Sequence, residues 1–129
     1  MMKKMIRRLP EAELDLMLVL WDAGTPVYRN YFDAALRQEK NWADSTILSL
    51  LSRLAEKGFI AVEKDGNRNR YRALVTKEEY LAVENRSFLA RLHGSSLRHL
   101  VASMADEGEL TRADLDDLEK LIETLKKEE

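Results

Sequence analysis

Apolar side chains recur along this chain with two periods, and the change between them outlines the architecture. Within residues 10–21, Leu14, Met17, Leu18 and Trp21 fall at i, i+3, i+4 and i+7, which is one face of a helix. Glu11 and Glu13 lie in its first turn, where negative charge suits exposed N–H groups, and Gly24 and Pro26 end it. A second helix is predicted over 28–38, with Tyr31, Phe32, Ala35 and Leu36 on its buried side. After a polar turn at Lys40 and Asn41, a third helix is predicted over 44–57 and closed by Gly58. Its apolar set is Ile47, Leu50, Leu51 and Leu54. Three short helices with tight connections resemble a helix-turn-helix unit.

The period then changes to two. Phe59 to Val62 is a strand-like run, Asp65-Gly66 is a hairpin signal, and residues 68–74 alternate. Arg68, Arg70 and Arg72 fall on one side of that strand, expected on the side of the third helix, and Tyr71 and Ala73 on the other. A hairpin directly after the third helix is the wing of a winged helix-turn-helix.

Beyond it the pattern is helical again. Thr76 and Glu79 have capping-box spacing and open a helix to about Leu92, with Tyr80, Val83, Phe88 and Leu92 among its apolar positions. A short apolar helix follows over 96–104. Thr111 with Asp114 starts a last one, whose Leu115, Leu118, Ile122 and Leu125 form a narrow stripe between charged flanks. Such a stripe cannot bury itself alone and calls for neighbours or a second chain. The predicted fold is therefore mainly α with a small β-hairpin wing: a winged helix-turn-helix over 1–75, a hinge at 74–77, and helical dimerisation elements over 76–129.

Charge fits this division better than the overall net of −2 suggests. Residues 1–75 carry 13 Lys and Arg against 10 Asp and Glu, whereas residues 76–129 carry 8 against 13. A mildly basic head on an acidic stalk suggests two jobs. No apolar run is long enough to span a bilayer and no signal segment opens the chain, so no membrane insertion is expected. With no Cys there is no disulfide, thiolate or cysteine metal site, which fits a reducing, cytoplasmic setting.

The candidate chemistry lies on the third helix. With its four apolar residues inward, the other face presents Ser45, Thr46, Leu48, Ser49, Ser52, Arg53 and Glu56. Short hydroxyls let a helix approach a duplex closely, an Arg can fork onto a guanine edge or a phosphate, and Leu48 offers apolar contact such as a thymine methyl. For an isolated helix, a solvated face is the better account. The adjacent Arg68, Arg70 and Arg72 tip the balance towards phosphate clamps. Lys3, Lys4, Arg7 and Arg8 are equally well a basic attraction or a plain tail. His93 and His99 stand six apart across a Gly break with no third ligand, so surface or core roles are favoured and no metal or cofactor is expected. Asp114, Asp116, Asp117 and Glu119 read as a solvated acidic face. Nothing supplies a nucleophile with its base, or a phosphate-cradling loop, so an enzyme is not expected.

Three runs carry a resemblance: LPEAELDLMLVLW, then NWADSTILSLLSRLAEKGFIAVEKDGNRNRYRALVTKEEY, then SFLARLHGSSLRHLVASM. They resemble the penicillinase-repressor (BlaI/MecI/CopY) family from about Leu9 to Lys127, through Trp42, Thr46, Ile47, Ser49, Leu50, Leu51, Arg53, Leu54, Lys57 and Gly58. The resemblance implies a dimeric winged-helix repressor on palindromic operators, of the kind that control β-lactam resistance or copper-handling genes. Several such proteins are released when a membrane-bound zinc-protease sensor triggers their cleavage. Departures are also present. Ala43-Asp44 stands where the family has Ser-Pro, leaving Asp44 to cap the third helix. Leu48 stands where Lys or Arg is frequent, and Pro10 replaces a capping Ser. Ser103-Met104 replaces the cleaved Asn-Phe, and the cysteine motif of the copper branch is missing.

The expectation is a homodimeric repressor of a resistance- or stress-type operon, reading double-stranded DNA through Ser45, Thr46, Leu48, Ser49, Ser52, Arg53, Arg68, Arg70 and Arg72. Tyr80, Phe88, Leu97, Leu100, Val101, Leu115, Leu118, Ile122 and Leu125 are expected at the two-fold interface. The alternative is a winged-helix protein-interaction adaptor without DNA binding, suggested by Asp44 and Leu48 on the reading face.

Overall fold

The computed structural model describes residues 5–128. Its elements run α1 (Glu11–Ala23), β1 (Val27–Tyr28), α2 (Arg29–Lys40), α3 (Asp44–Glu56), β2 (Ile60–Asp65), β3 (Arg68–Ala73), α4 (Lys77–His93), α5 (Leu97–Asp106) and α6 (Arg112–Lys127). β2 and β3 form an antiparallel hairpin with Asp65 opposite Arg68, and β1 adds to the other edge of β3, giving the order β1-β3-β2. The hairpin turn places Gly66 at a φ of 63°, a left-handed conformation that glycine adopts without penalty. Helices α1 to α3 and this sheet enclose one core, so the predicted winged helix-turn-helix is the observed fold.

Rotation of the helices decides which faces meet. The face of α3 is as predicted, with Ile47, Leu50, Leu51 and Leu54 at 6 % exposure or less. That of α1 is not. Its buried residues are Glu13, Leu16, Met17 and Leu20, while Leu18 is exposed. Residues 16–21 are apolar all round, so hydrophobicity alone does not fix the rotation. The observed rotation buries Glu13, whose carboxylate accepts from the Lys57 ammonium at the end of α3. Glu13 thus acts as a buried ion-pair partner rather than as a simple first-turn charge. In α2 only Phe32 and Leu36 are buried, and Tyr31 and Ala35 are exposed.

The predicted hinge at 74–77 is anchored instead. Val75 is buried and its carbonyl accepts from Trp21 Nε1 at 2.8 Å. Tyr80, expected at a dimer interface, is 1 % exposed. Its ring packs on Trp21 and Phe59, with centroids 5.7 and 5.9 Å away, and its hydroxyl accepts from Leu9 N at 2.9 Å. It therefore belongs to the winged-helix core and cannot serve an interface. The compact units are accordingly Met1–Asn85 and Arg86–Glu129, and α4 runs through the boundary. Both capping boxes are formed. Thr76 and Glu79 bond reciprocally at 2.8 and 3.0 Å, and Thr111 and Asp114 at 3.0 and 3.1 Å.

In the second unit, neither α5 nor α6 has a buried residue. Among the described residues, no helix is long and apolar enough to cross a membrane.

Tyr80→Phe keeps the packing but leaves the buried Leu9 N–H without its acceptor. It should cost about 1–3 kcal/mol in urea unfolding of the full chain. No loss of stability would mean that Leu9 N has another partner.

Candidate nucleic-acid interface

Helix α3 offers a fully exposed polar face. Ser45, Thr46, Leu48, Ser49, Ser52 and Arg53 are all exposed along it, opposite the buried set. The N-cap is Ala43, with no side-chain cap. Asp44, expected to cap the helix, instead meets Arg29 Nη1 at 2.8 Å through Oδ1, at the first residue of α2. This guanidinium sets a positive charge against the one carboxylate in the first turn of α3. Asp44 then counts less against a polyanionic partner than its charge alone suggests.

The wing arginines divide. Strand alternation puts Tyr71 in the core, and a groove between α3 and the sheet is lined by Leu48, Ser52, Val62, Asn69 and Tyr71. Arg68, Arg70 and Arg72 therefore spring from the sheet face opposite α3, which corrects the expectation that all three sit on its side. Glu63, directly across from Arg70, holds two of them. Its carboxylate lies 3.3 Å from Arg72 Nε and 3.8 Å from Arg70 Nε, the second an ion pair too long for a hydrogen bond. Arg68, near the hairpin tip, behaves differently. Its guanidinium stacks 3.7 Å over the Tyr28 ring and Nη2 donates to Asn30 Oδ1 at 3.3 Å. It lines one open cavity with Arg29, Asn30, Leu48, Asn67 and Asn69. The structure thus brings Arg68 together with α3, and leaves Arg70 and Arg72 on the far face.

Sequence periodicity missed the polar residues that complete this cavity. Arg29 and Asn30 start α2, and Asn67 and Asn69 edge the wing. The signal available for them was the Asn-rich hairpin itself, in which Asn69 alternates with the arginines. Of the N-terminal cations, Lys3 and Lys4 lie outside the described residues, and Arg8 is engaged by Glu84 at 2.7 Å.

Tyr28 fixes the junction of β1 with the wing. Its hydroxyl donates to the Asp65 carboxylate, which raises the phenol pKa above the ordinary 10.0. Burial and the Asp65 charge add to the shift, while Arg68 and Arg70 oppose it.

With the unit boundary at Asn85, the head carries 14 Lys and Arg against 13 Asp and Glu, and the second unit 7 against 10. The head is less basic than a boundary at residue 75 implied, so the placement of its cations matters more than their number.

The fold and this helix-plus-wing surface define a winged helix-turn-helix protein. Comparison with known families is specific: the penicillinase repressor family model matches residues 9–124, and the chain belongs to that family. It is a family of transcriptional repressors, not enzymes. The chain is 32 % identical over 111 residues to an uncharacterized 16.5 kDa protein of Latilactobacillus sakei, covering 86 % of this chain and 75 % of the relative. It is 27 % identical over 120 residues to the penicillinase repressor of Bacillus licheniformis, covering 93 % of each. Among solved structures it is similar to the monomeric Bacillus licheniformis BlaI in complex with the blaP half-operator. That match has a TM-score of 0.51 and 28 % identity, and covers 60 % of this chain and 94 % of the other.

Because the folded Tyr28 pKa is raised, the contact with Asp65 contributes stability below the ordinary phenol pKa and loses it as pH climbs through the raised value. Asp65→Asn should move the Tyr28 ionisation back to lower pH in an absorbance titration of the tyrosines. An unchanged curve would remove Asp65 as the cause.

Proposed function

We propose that this protein is a homodimeric repressor of a resistance- or stress-type operon in the cytoplasm, binding a pseudo-palindromic operator with α3 in the major groove. The exposed hydroxyl-and-arginine face of α3 carries this reading. Ser45, Thr46, Ser49 and Ser52 are short enough for close approach to bases or phosphates, Leu48 suits a thymine methyl, and Arg53 suits a guanine edge or phosphate. On the wing, Arg68 is the phosphate contact nearest α3. Arg70 and Arg72 must first give up Glu63 and reach round from the far face. The similarity to a BlaI domain bound to its half-operator supports the same use of this surface.

The second unit supports the dimer. Leu97, Leu115, Leu118, Leu121, Ile122 and Leu125 are 37–65 % exposed, Phe88 is likewise exposed, and Leu100 and Val101 are half-buried. A second copy would bury this face, at roughly 0.5–2 kcal/mol for each large side chain, since only part of its surface remains to be covered. Two-fold symmetry then places half-sites about one or two helical turns apart. Release by a membrane-bound protease sensor forms no part of the reading, because Ser103-Met104 stands where the family's cleaved pair would be. The adaptor alternative rested on Asp44 and Leu48, and the Arg29 contact weakens the first of these supports.

A polarisation titration of the full chain against its own upstream DNA, at two salt concentrations, tests the reading; no salt-dependent binding would overturn it. Arg53→Ala should cost about 1–3 kcal/mol on the specific site if it reads a base. Arg68→Ala should flatten the salt slope by about one unit, and Arg72→Ala by less. Equal effects of Arg68→Ala and Arg72→Ala would contradict the division of the wing. Leu118→Glu should give a monomer by sedimentation and weaken operator binding, and a dimer that persists would exclude α6 from the interface.

A further inference from the structure

We propose that His93 and His99 form a two-imidazole chelate for a transition-metal dication of the Zn²⁺, Ni²⁺ and Cu²⁺ class at the corner between α4 and α5. Their separation of six residues argued against a shared role, but the corner closes it. The two Nδ1 atoms lie 2.8 Å apart, with ring centroids at 5.0 Å. Two nitrogens, each about 2.0–2.1 Å from one metal at angles between 90° and tetrahedral, stand roughly 2.9–3.3 Å apart. The spacing is therefore within a few tenths of an ångström of a chelate, and since the rings now point nearly straight at each other, each must also turn by roughly 20–30° to aim its Nδ1 at one ion.

The backbone supports this convergence from both sides. His93 ends α4, and its carbonyl accepts from Ser96 N at 2.9 Å. Gly94 and Ser95 follow at φ values of 57° and 64°, both left-handed, and Ser95 N donates back to Leu89 O at 3.0 Å. Ser96 then caps α5 by accepting from His99 N at 3.1 Å, which sets His99 in the first turn. Phe88 packs against the His93 ring with centroids 5.4 Å apart.

Imidazole suits Zn²⁺, Ni²⁺ and Cu²⁺, and the affinity order places Cu²⁺ first. Without metal, one Nδ1–H donates to the other Nδ1. In the chelate both rings carry their hydrogen on Nε2, so at neutral ligands the number of protons is unchanged. Among the described residues no group of three or more His, Cys, Asp or Glu could hold a metal, so water completes the coordination and the site stays open. The inference does not depend on DNA binding, and it shares Phe88, packed on His93, with the proposed dimer face.

The test is isothermal titration of the untagged full chain with CuSO₄, NiCl₂ or ZnCl₂ alone, for the natural protein and for His93→Gln and His99→Gln, with circular dichroism on each. One metal per chain in the micromolar range is expected, tightest for Cu²⁺. Each single variant should weaken binding about tenfold or more while keeping the helical spectrum. Imidazole proton signals of both histidines should also move on adding Zn²⁺ to the natural protein, a readout that needs no variant. Absence of binding, or binding that survives either substitution, or a shift of only one histidine, overturns the proposal.

Discussion

A phenol buried among apolar rings is the constraint on which the first unit closes. Tyr80 sits at 1 % exposure against Trp21 and Phe59, accepts from Leu9 N, and donates to Glu84 Oε1 at 3.3 Å. Burial, more than any charge, raises its pKa. An aromatic of this size removes about 150–250 Å² from water, worth roughly 4–6 kcal/mol at 25 cal/mol per Å². One side chain thus joins the segment before α1, the end of α1, the residue before β2 and the opening turn of α4. A winged helix cut at residue 75 would lose that residue from its core, which is why the compact unit extends to Asn85.

What was legible in the sequence depended on whether polar residues interrupted the apolar ones. In α3, small hydroxyls separate Ile47, Leu50, Leu51 and Leu54, so only one rotation is amphipathic and the core face is unambiguous. Residues 16–21 of α1 offer no such contrast, and the rotation observed is one that buries an ion pair. Periodicity cannot anticipate this, because Glu13 reads as polar until its partner Lys57, 44 residues later, is placed against it. The hairpin was legible from Asp65-Gly66, whereas β1, only two residues long, follows Pro26 and carries no pattern of its own. Tyr80 was misassigned for a related reason. Helical spacing groups it with Val83 and Phe88, yet Tyr80 is the residue of α4 that is buried, against Trp21 and Phe59.

The candidate interface was legible to the same degree. Alternation correctly puts Arg68, Arg70 and Arg72 on one face of β3, but a strand pattern is symmetric and does not say which face turns towards a helix. The deciding residue is Tyr71, whose burial against Phe32 (centroids 6.1 Å apart) fixes the arginines on the outside. Arg68 still reaches the cavity beside Leu48 because it lies at the hairpin tip, where Tyr28 and Asn30 redirect it.

The same geometry bears on how a nearly neutral head can serve a polyanion. Several cations around the surface are matched by a carboxylate: Arg29 by Asp44, Arg70 and Arg72 by Glu63, and Arg8 by Glu84. Exposed pairs of this kind contribute about 0–1 kcal/mol, so a phosphate can replace the carboxylate at little cost. Without that phosphate the carboxylate cancels the long-range field. Non-specific DNA binding rests almost wholly on that field, so in the proposed reading the pairing would lower affinity for random sequence more than for a site on which α3 is seated. A weak single head is then an advantage in the proposed dimer. Two heads on correctly spaced half-sites regain affinity through effective concentration, and a lone half-site does not.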